Sequence, residues 1–281
     1  MIGGLLEPFS YEFFRNGIAV ATLAGALCGV LGVFVVLRGM SYIGHGLSHA
    51  VFGGAAASAV MNVNYFAGAG IWGIGSGIVI GRIARRGLIG ADAAIGVVTT
   101  ASFALGLALL NRYGQAKKSI EAVLFGSVLG VGTGDIVAVV SVAVLTVLLV
   151  VLLYRRLLFT TFDPEVARVS GVRTAFYEAL LMALLSLTVL VTMRVIGTLL
   201  ISALLVIPAS VARMLTNSFA RMLFIAPVLG ATAAFIGMFA SYHLDTSASA
   251  SIILTGTICF IAVYAFTGVR GRTRIAHLHH V

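Results

Sequence analysis

Long apolar segments without interior charge alternate along the chain with short segments that carry nearly all of the charged residues. A helix needs roughly 20 apolar residues to cross the hydrocarbon core of a membrane. The pattern predicts nine spans, near residues 17–37, 43–61, 65–84, 92–110, 135–154, 174–193, 195–215, 222–241 and 248–268. The sixth and seventh segments abut at Arg194, and the seventh contains Pro208, so the two form either a tight hairpin or one irregular helix. We therefore expect an all-α, polytopic integral membrane protein with eight or nine transmembrane helices.

Composition agrees with this pattern and limits what else the chain can hold. Of the 281 residues, 60% are hydrophobic and 10% are charged, and the mean hydropathy is +1.11. Nine spans use most of this length, so no soluble catalytic domain fits beside them. We find no linker or low-complexity tract, so we expect one transmembrane domain over residues 1–281. The two cysteines lie inside apolar segments, which excludes a disulfide framework.

The net charge of +9 is a topology signal. With the N-terminus outside, the inner segments hold thirteen basic and four acidic residues, whereas the outer segments hold five of each. Positive charge concentrates on the cytoplasmic side of membrane proteins. We therefore expect a multi-pass protein of the cell (inner or plasma) membrane, with its N-terminus outside and its C-terminus in the cytoplasm. Because topology accounts for the basic balance, no nucleic-acid partner is expected.

Two histidines lie in the second apolar segment, in the sequence Arg38-Gly-Met-Ser-Tyr-Ile-Gly-His-Gly-Leu-Ser-His49. The spacing of His45 and His49 puts both imidazoles on one face of a helix. Imidazole binds zinc, copper, nickel and iron, and a polar side chain inside a membrane is costly unless it faces a water-lined cavity or a partner. The pattern favours a pair of metal ligands on an ion pathway. The alternative is that each histidine only hydrogen-bonds a neighbouring helix.

A short polar segment between the fifth and sixth spans predicts a helix of two turns. Asp163 is a suitable N-cap, Pro164 fits the first helical position, Glu165 falls in the first turn and Gly171 provides the end. The segment is either an ordinary loop helix or a docking element that passes motion from a soluble partner to the spans.

Other polar residues have open roles. His243 and Asp245 follow the eighth span, where they either attract an arriving cation or anchor the helix end. The C-terminal histidines either bind metal in the cytoplasm or are an incidental exposed cluster; they are His277, His279 and His280.

Glycine spacing and one short apolar segment complete the pattern. Glycines at four-residue steps predict close helix packing, at Gly73, Gly77 and Gly81 and again at Gly126, Gly130 and Gly134. Residues 120–131 are apolar but too few to cross a membrane, so we expect a half-helix that enters the membrane and returns.

Several motifs occur in order along the chain and point to one family. Besides the segment from Arg38 to His49, they are Ile95-Gly-Val-Val, Phe103-Ala-Leu-Gly106, Leu124-Phe-Gly-Ser127, Phe162-Asp-Pro-Glu-Val-Ala167 with Gly171, and Gly197-Thr-Leu-Leu-Ile-Ser-Ala-Leu-Leu-Val-Ile-Pro-Ala209. In these motifs the chain resembles the permeases of metal-ion ABC importers, the zinc and manganese uptake family. The resemblance runs nearly from end to end.

The resemblance implies a permease subunit that binds no cofactor and moves a divalent transition-metal ion as its substrate. Two copies of the chain form the pathway, separate cytoplasmic ABC ATPase subunits hydrolyse ATP, and an extracytoplasmic metal-binding protein delivers the ion. The chain itself has no Gly-X4-Gly-Lys-Ser/Thr loop for a nucleotide. The family's intramembrane histidine corresponds to His49. Its coupling helix corresponds to residues 163–171, with Asp163, Pro164, Glu165, Ala167 and Gly171.

The chain departs from the family at two places. The family most often has an acidic residue four positions before the intramembrane histidine, and His45 stands there instead. Two neutral imidazoles shift the expected preference towards zinc and away from the harder manganese ion. The family's Leu-Asp-X-Pro-X-Gly pattern is also incomplete after Leu244, so only the carboxylate of Asp245 carries over.

The expected function is therefore uptake of zinc or manganese, with a lean towards zinc. The main alternative is an ion-coupled secondary metal transporter, but such proteins usually place a carboxylate near the membrane midplane, and all nine acidic residues here lie at span ends or in loops. An intramembrane serine protease is a weaker alternative, because Ile74-Gly-Ser-Gly77 lacks the first glycine of the Gly-X-Ser-Gly signature.

Overall fold

The computed structural model describes residues 7–113 and 130–278, which form a bundle of helices without strands in those two ranges. A 3₁₀ turn at Glu7–Ser10 comes first. The helices are α1 (Glu12–Leu37), α2 (Ile43–Met61), α3 (Tyr65–Arg85), α4 (Ala91–Tyr113), α5 (Thr133–Leu152), α6 (Tyr154–Phe162), α7 (Pro164–Val169), α8 (Thr174–Ile196), α9 (Thr198–Leu215), α10 (Phe219–His243) and α11 (Ala248–Leu278).

Within the described ranges, eight helices are long and apolar enough to cross a membrane. They are α1, α3, α4, α5, α8, α9, α10 and α11. Helix α2 has the necessary length, 19 residues, but with its histidines, serines and glycines it is not among the helices that meet the hydropathy criterion. The prediction of an all-α membrane protein with eight or nine spans is confirmed.

The sixth and seventh predicted spans form the tight hairpin. Helix α8 extends to Ile196 and α9 begins at Thr198, so Gly197 alone connects them. Gly197 has φ of 78°, a conformation that glycine adopts without steric cost. At the start of α9 the Ile196 carbonyl accepts a hydrogen bond from Ser249 Oγ. After α9, Phe219 packs on Phe34 near the end of α1. Helix α9 therefore returns through the bundle rather than continuing α8.

The connections between helices fall at two ends of the bundle. We call one the arginine-rich end; it contains the connections 38–42, 86–90, 153–173 and 216–218. The opposite end contains the connections 62–64 and 244–247 and Gly197. Side chains tie the arginine-rich end together, because Arg38 bonds Thr161 and Phe162 packs on Phe219.

Glycines allow the long helices to approach closely. A Cβ atom on Gly25 of α1 would meet the backbone of Gly230 in α10. The predicted row in α3 also lies against other helices, but less tightly along its length. A Cβ atom on Gly73 would clash with Val51 of α2, one on Gly77 would press on Met182 of α8, and one on Gly81 would make an ordinary contact with Glu178. In lipid there is no hydrophobic driving force between helices, so van der Waals packing, which small residues permit at such crossings, holds the helices together.

The second predicted glycine row is wrong where it can be checked. A Cβ atom on Gly134 would have no neighbour within 4 Å among the described residues, because α5 lies at the edge of the bundle. Gly126 and most of the predicted half-helix 120–131 lie outside the described residues.

Helix α2 is the most enclosed of the long helices in its packing. A Cβ atom on Gly53 would meet the backbone of Ser102 in α4, and one on Gly54 would meet Trp72 in α3. Near its start, Gly44 lies against Leu205 of α9. Neighbouring helices therefore shield α2 from lipid, and its own sequence does not need to be strongly apolar.

Candidate metal site and coupling element

Helix α2 starts soon after α1 because Gly39 ends α1 sharply. Gly39 has φ of 65°, the Met40 N–H donates to the Val35 carbonyl at 3.0 Å, and the Gly39 N–H donates to the Val36 carbonyl at 3.2 Å. These two bonds form a Schellman motif, which glycine favours at this position. The turn places the two histidines in the first two turns of α2, near the arginine-rich end.

The structure brings His45 and His49 together, as their spacing predicts. Their Nε2 atoms are 3.1 Å apart, and the ring centroids are 4.5 Å apart with perpendicular planes. Two nitrogens that bind one ion at a tetrahedral angle, each about 2.05 Å from it, would be about 3.3 Å apart. The observed separation is therefore compatible with one ion held between both Nε2 atoms.

The two rings differ in their surroundings. His45 is exposed on the outside of the protomer, whereas His49 is half-buried against the ring of Phe103, with centroids 4.9 Å apart. The Nδ1 atom of His49 is buried and has no hydrogen-bond partner among the described residues. An ion held by both Nε2 atoms requires the proton of each ring to sit on Nδ1, and no group in the described ranges accepts a hydrogen bond from the enclosed Nδ1 of His49.

The site is incomplete within one protomer. No group of three histidine, cysteine, aspartate or glutamate residues in the described ranges is placed to hold a metal ion. One chain therefore offers two nitrogen donors, on a face where His45 is open to a second molecule.

The predicted helix between the fifth and sixth spans is present as α7. Asp163 Oδ1 accepts a hydrogen bond from the Val166 N–H at 2.9 Å, and Pro164 occupies the first turn. Gly171, with φ of 81°, ends the helix in a second Schellman motif, in which the Val172 N–H donates to the Ala167 carbonyl. The cap, the proline and the terminating glycine all act as the sequence predicts.

The faces of α7 are less obvious from the sequence. Ala167 is fully buried, so it packs α7 onto the bundle and does not lie on an outer docking surface. Glu165 is exposed. Two apolar side chains that the sequence analysis did not single out are also exposed, Val166 at 50% and Val169 at 90%. The signal available in the sequence was the presence of two valines in a short loop helix next to the membrane.

The remaining predicted residues lie apart from the histidine pair. His243 ends α10 at the opposite end of the bundle and packs against the rings of Phe239 and Tyr242. Asp245 is exposed in the turn that follows, with φ of 51°. Both interpretations of this pair stay open. His277 lies near the end of α11, and His279 and His280 lie outside the described residues.

A partly buried charged cluster at the arginine-rich end is a feature that sequence reasoning missed. Arg85 Nε lies 3.0 Å from Glu178 Oε2, and Arg38 hydrogen-bonds Thr160 and Thr161. Burial lowers the pKa of Arg38, and the charge of Glu178 opposes this lowering. An acidic residue at the start of an apolar span was the available signal, because such residues usually have a partner.

Comparison with known proteins places these features in one family. The model of the ABC 3 transport family matches residues 10–267. The chain is similar to the manganese transport system membrane protein MntC of Listeria monocytogenes, with 35% identity over 95% of this chain and 94% of that protein. It is also similar to the manganese import system permease protein ScaB of Streptococcus parasanguinis, with 38% identity over 89% of each chain.

A solved structure shares the fold. The structure described as PsaBC from Streptococcus pneumoniae in complex with Fab superimposes with a TM-score of 0.82, at 35% identity. The match covers 94% of this chain and 95% of that chain.

Proposed function

The chain belongs to the ABC 3 transport family, and on this premise we propose that it is the membrane-spanning subunit of an importer that takes up manganese. It is a transport subunit and not an enzyme, and a separate subunit hydrolyses the ATP. The alternative of an ion-coupled secondary transporter is not favoured, because family membership implies coupling to ATP.

The choice of metal differs from the one that the histidines alone favour. The lean towards zinc is not supported, since the similar proteins MntC and ScaB are both named as manganese transport proteins. A site with two imidazoles per chain also leaves coordination positions for oxygen ligands, which manganese prefers. Manganese is therefore the proposed substrate.

The observation that carries the proposal is the 3.1 Å separation of the two Nε2 atoms. His45 and His49 would bind the ion, and a second copy of the chain would supply further donors across the face where His45 is exposed. His243 and Asp245 remain candidates for an outer entry point. Metal binding by the C-terminal histidines is not part of the proposal.

Helix α7 is the proposed coupling helix, with Asp163, Pro164 and Gly171 shaping it and Ala167 seating it on the bundle. Glu165, Val166 and Val169 would face a cytoplasmic ABC ATPase. This arrangement places the arginine-rich end in the cytoplasm and the N-terminus outside, in line with the concentration of basic residues there. A metal-binding protein outside the membrane would deliver the ion.

A reconstituted complex tests the proposal. The permease, its ATPase and its binding protein are placed in liposomes, and ATP hydrolysis and radiotracer uptake are measured with manganese, zinc and iron in parallel. We expect manganese to stimulate both activities most strongly. Uptake that needs an ion gradient but no ATP would contradict the proposal, and preferred uptake of zinc would contradict the choice of metal.

A further inference from the structure

The half-buried arginine at position 38 lies between the two functional elements. Arg38 is the C-cap residue of α1, directly before the Schellman turn at Gly39. His45 follows seven residues later, in the first turn of α2. Because the turn is short and fixed by backbone hydrogen bonds, a displacement of Arg38 is passed to the start of the histidine helix.

The guanidinium of Arg38 bonds to the segment that leads into α7. Its Nε and Nη2 donate to Thr161 Oγ1 at 3.3 and 3.2 Å, and Nη2 also reaches Thr160 Oγ1 at 3.5 Å. Both threonines are buried at the end of α6, and Asp163 caps α7 two residues after Thr161. One side chain therefore joins the base of the histidine helix to the base of α7 across 123 positions of sequence.

Glu178 balances this positive charge and extends the connection. It pairs with Arg85 at the end of α3, and its charge also interacts with Arg38 and with Arg168 of α7. Helix α3 packs directly on the histidine helix, since a Cβ atom on Gly73 would meet Val51. Glu178 is thus the shared counter-ion of residues from the α1–α2 turn, α3 and α7.

The cluster has room to rearrange. A cavity of about 440 Å³ adjoins it and is lined by residues of the turn, α3, α6, α7 and α8, among them Arg38, Arg85, Thr161, Glu165, Arg168 and Glu178. A closely packed interior would resist such movement. Beside this cavity, Ala167 packs α7 onto the bundle, and the polar contacts of Arg38 add a connection between the α1–α2 turn and the end of α6, directly before α7.

We propose that Arg38 is the positioning residue that transmits movement of the coupling helix to the histidine pair. It does so through its hydrogen bonds to Thr161 and Thr160, with Glu178 as the shared counter-ion. The inference rests on the proposed function, because it assigns to this contact the step between ATPase movement and ion release. Arg38 is not one of the proposed metal ligands, so its role is to position other residues.

The test separates coupling from folding and from ion binding. Thr161→Val keeps the shape of the side chain but removes the hydroxyl that accepts two bonds from Arg38. Thr174→Val is the matched control, because Thr174 lines the same cavity without a bond to Arg38 among the described contacts. Arg38→Lys keeps the charge but loses the planar fork, and Arg156→Lys is its control, since Arg156 bonds Tyr177 instead.

All variants are reconstituted with the ATPase and the binding protein, and three quantities are measured: manganese transported per ATP, manganese bound by the detergent-solubilised complex, and thermal stability. We expect Thr161→Val and Arg38→Lys to lower the ions transported per ATP roughly tenfold, because a hydrogen bond to a charged group is worth about one factor of ten. Manganese binding should stay at the parental value. Thermal stability should fall by no more than it does in Arg156→Lys, which also loses a hydrogen bond, and both controls should transport normally.

Two results would overturn the inference. One is a parental transport ratio in both Thr161→Val and Arg38→Lys. The other is a parallel loss of transport, binding and stability, which would show that the contact only maintains the fold. If the parental complex takes up manganese, either result leaves the proposed function intact. If the parental complex takes up no manganese, the proposed function itself is contradicted.

Discussion

Helices α2 and α5 are both about 20 residues long, but α2 is mostly buried by other helices, whereas α5 has an exposed face. Helix α5 is made almost entirely of valine, leucine and alanine, and one face is exposed along its length, including Val137, Val144 and Val151. Helix α2 contains histidines, serines and glycines, and most of it is buried by α3, α4, α8 and α9.

The difference shows that a membrane helix can be stable for two reasons. Helix α5 is compatible with lipid through its own side chains. Helix α2 depends on its neighbours, which exclude lipid and approach closely at glycines. A helix of the second kind can hold an imidazole against a neighbouring helix, as His49 lies against Phe103, whereas the exposed His45 needs a second molecule to cover it.

The largest effect should follow from enlarging a glycine in each helix. Gly53→Leu forces a side chain into the backbone of Ser102, and we expect it to destabilise the protein by roughly 3 kcal/mol or more. Gly134→Leu meets none of the described residues and should change stability by less than about 0.5 kcal/mol. Thermal unfolding of the purified protein in detergent measures both. Equal effects in the two helices would contradict the comparison.

Removal of one imidazole should be the next largest effect. His49→Ala leaves one metal ligand per chain. Loss of a residue that only hydrogen-bonds a metal ligand typically lowers affinity or activity roughly tenfold or more. Loss of a ligand should lower manganese uptake by more than roughly tenfold when the manganese concentration is limiting. Ser141→Ala in α5 is the control, because this exposed hydroxyl donates to the Val137 carbonyl of its own helix and has no other partner among the described residues. Both are measured by radiotracer uptake at matched expression. Uptake at the parental rate in His49→Ala would show that the histidines are packing residues.

A valine in each helix should give a smaller contrast in stability. Val51 in α2 is fully buried, and Val51→Ala should cost about 1–2 kcal/mol through the cavity that it leaves. Val144 in α5 is 62% exposed, and Val144→Ala should cost less than about 0.5 kcal/mol. Denaturation in mixed detergent gives the free energy of unfolding of both variants. A larger cost at Val144 would mean that the exposed face of α5 is covered by a protein partner.

The smallest expected effect concerns ion preference. His45→Asp introduces a carboxylate, a harder donor than imidazole, and should raise the ratio of manganese to zinc uptake a few-fold. Asn64→Asp adds the same charge at the opposite end, at an exposed N-cap position outside the proposed ion path, and should leave the ratio unchanged. Uptake of the two metal radiotracers in competition measures this ratio. A similar shift in both variants would assign the effect to overall charge and not to the histidine pair.

Local sequence signals were sufficient wherever the deciding contacts are local. The cap of Asp163, the proline at position 164 and the left-handed Gly171 lie within nine residues, and each acts as predicted. The i, i+4 spacing of His45 and His49 likewise fixes their proximity, because a helix admits only one arrangement of side chains at that spacing.

Prediction failed where the partner is distant in sequence. Whether Gly77 packs closely and Gly134 does not depends on which helix lies opposite, and both have the same spacing pattern. The inward direction of Ala167 depends on how α7 rests on the bundle. The bond between Arg38 and Thr161 joins two segments that no local periodicity relates.

By itself, the sequence determined that the chain is a helical membrane protein, where its spans lie and which face of α2 carries the histidines, because hydrophobic length and helical spacing act over tens of residues at most. The tertiary structure alone decided that α2 is shielded, that α8 and α9 fold back at Gly197, and that Arg38 lies between the histidine helix and α7. The physical reason is that helices in lipid associate through close packing and a few buried polar contacts. These depend on complementary surfaces of separate segments, which only the assembled bundle brings together.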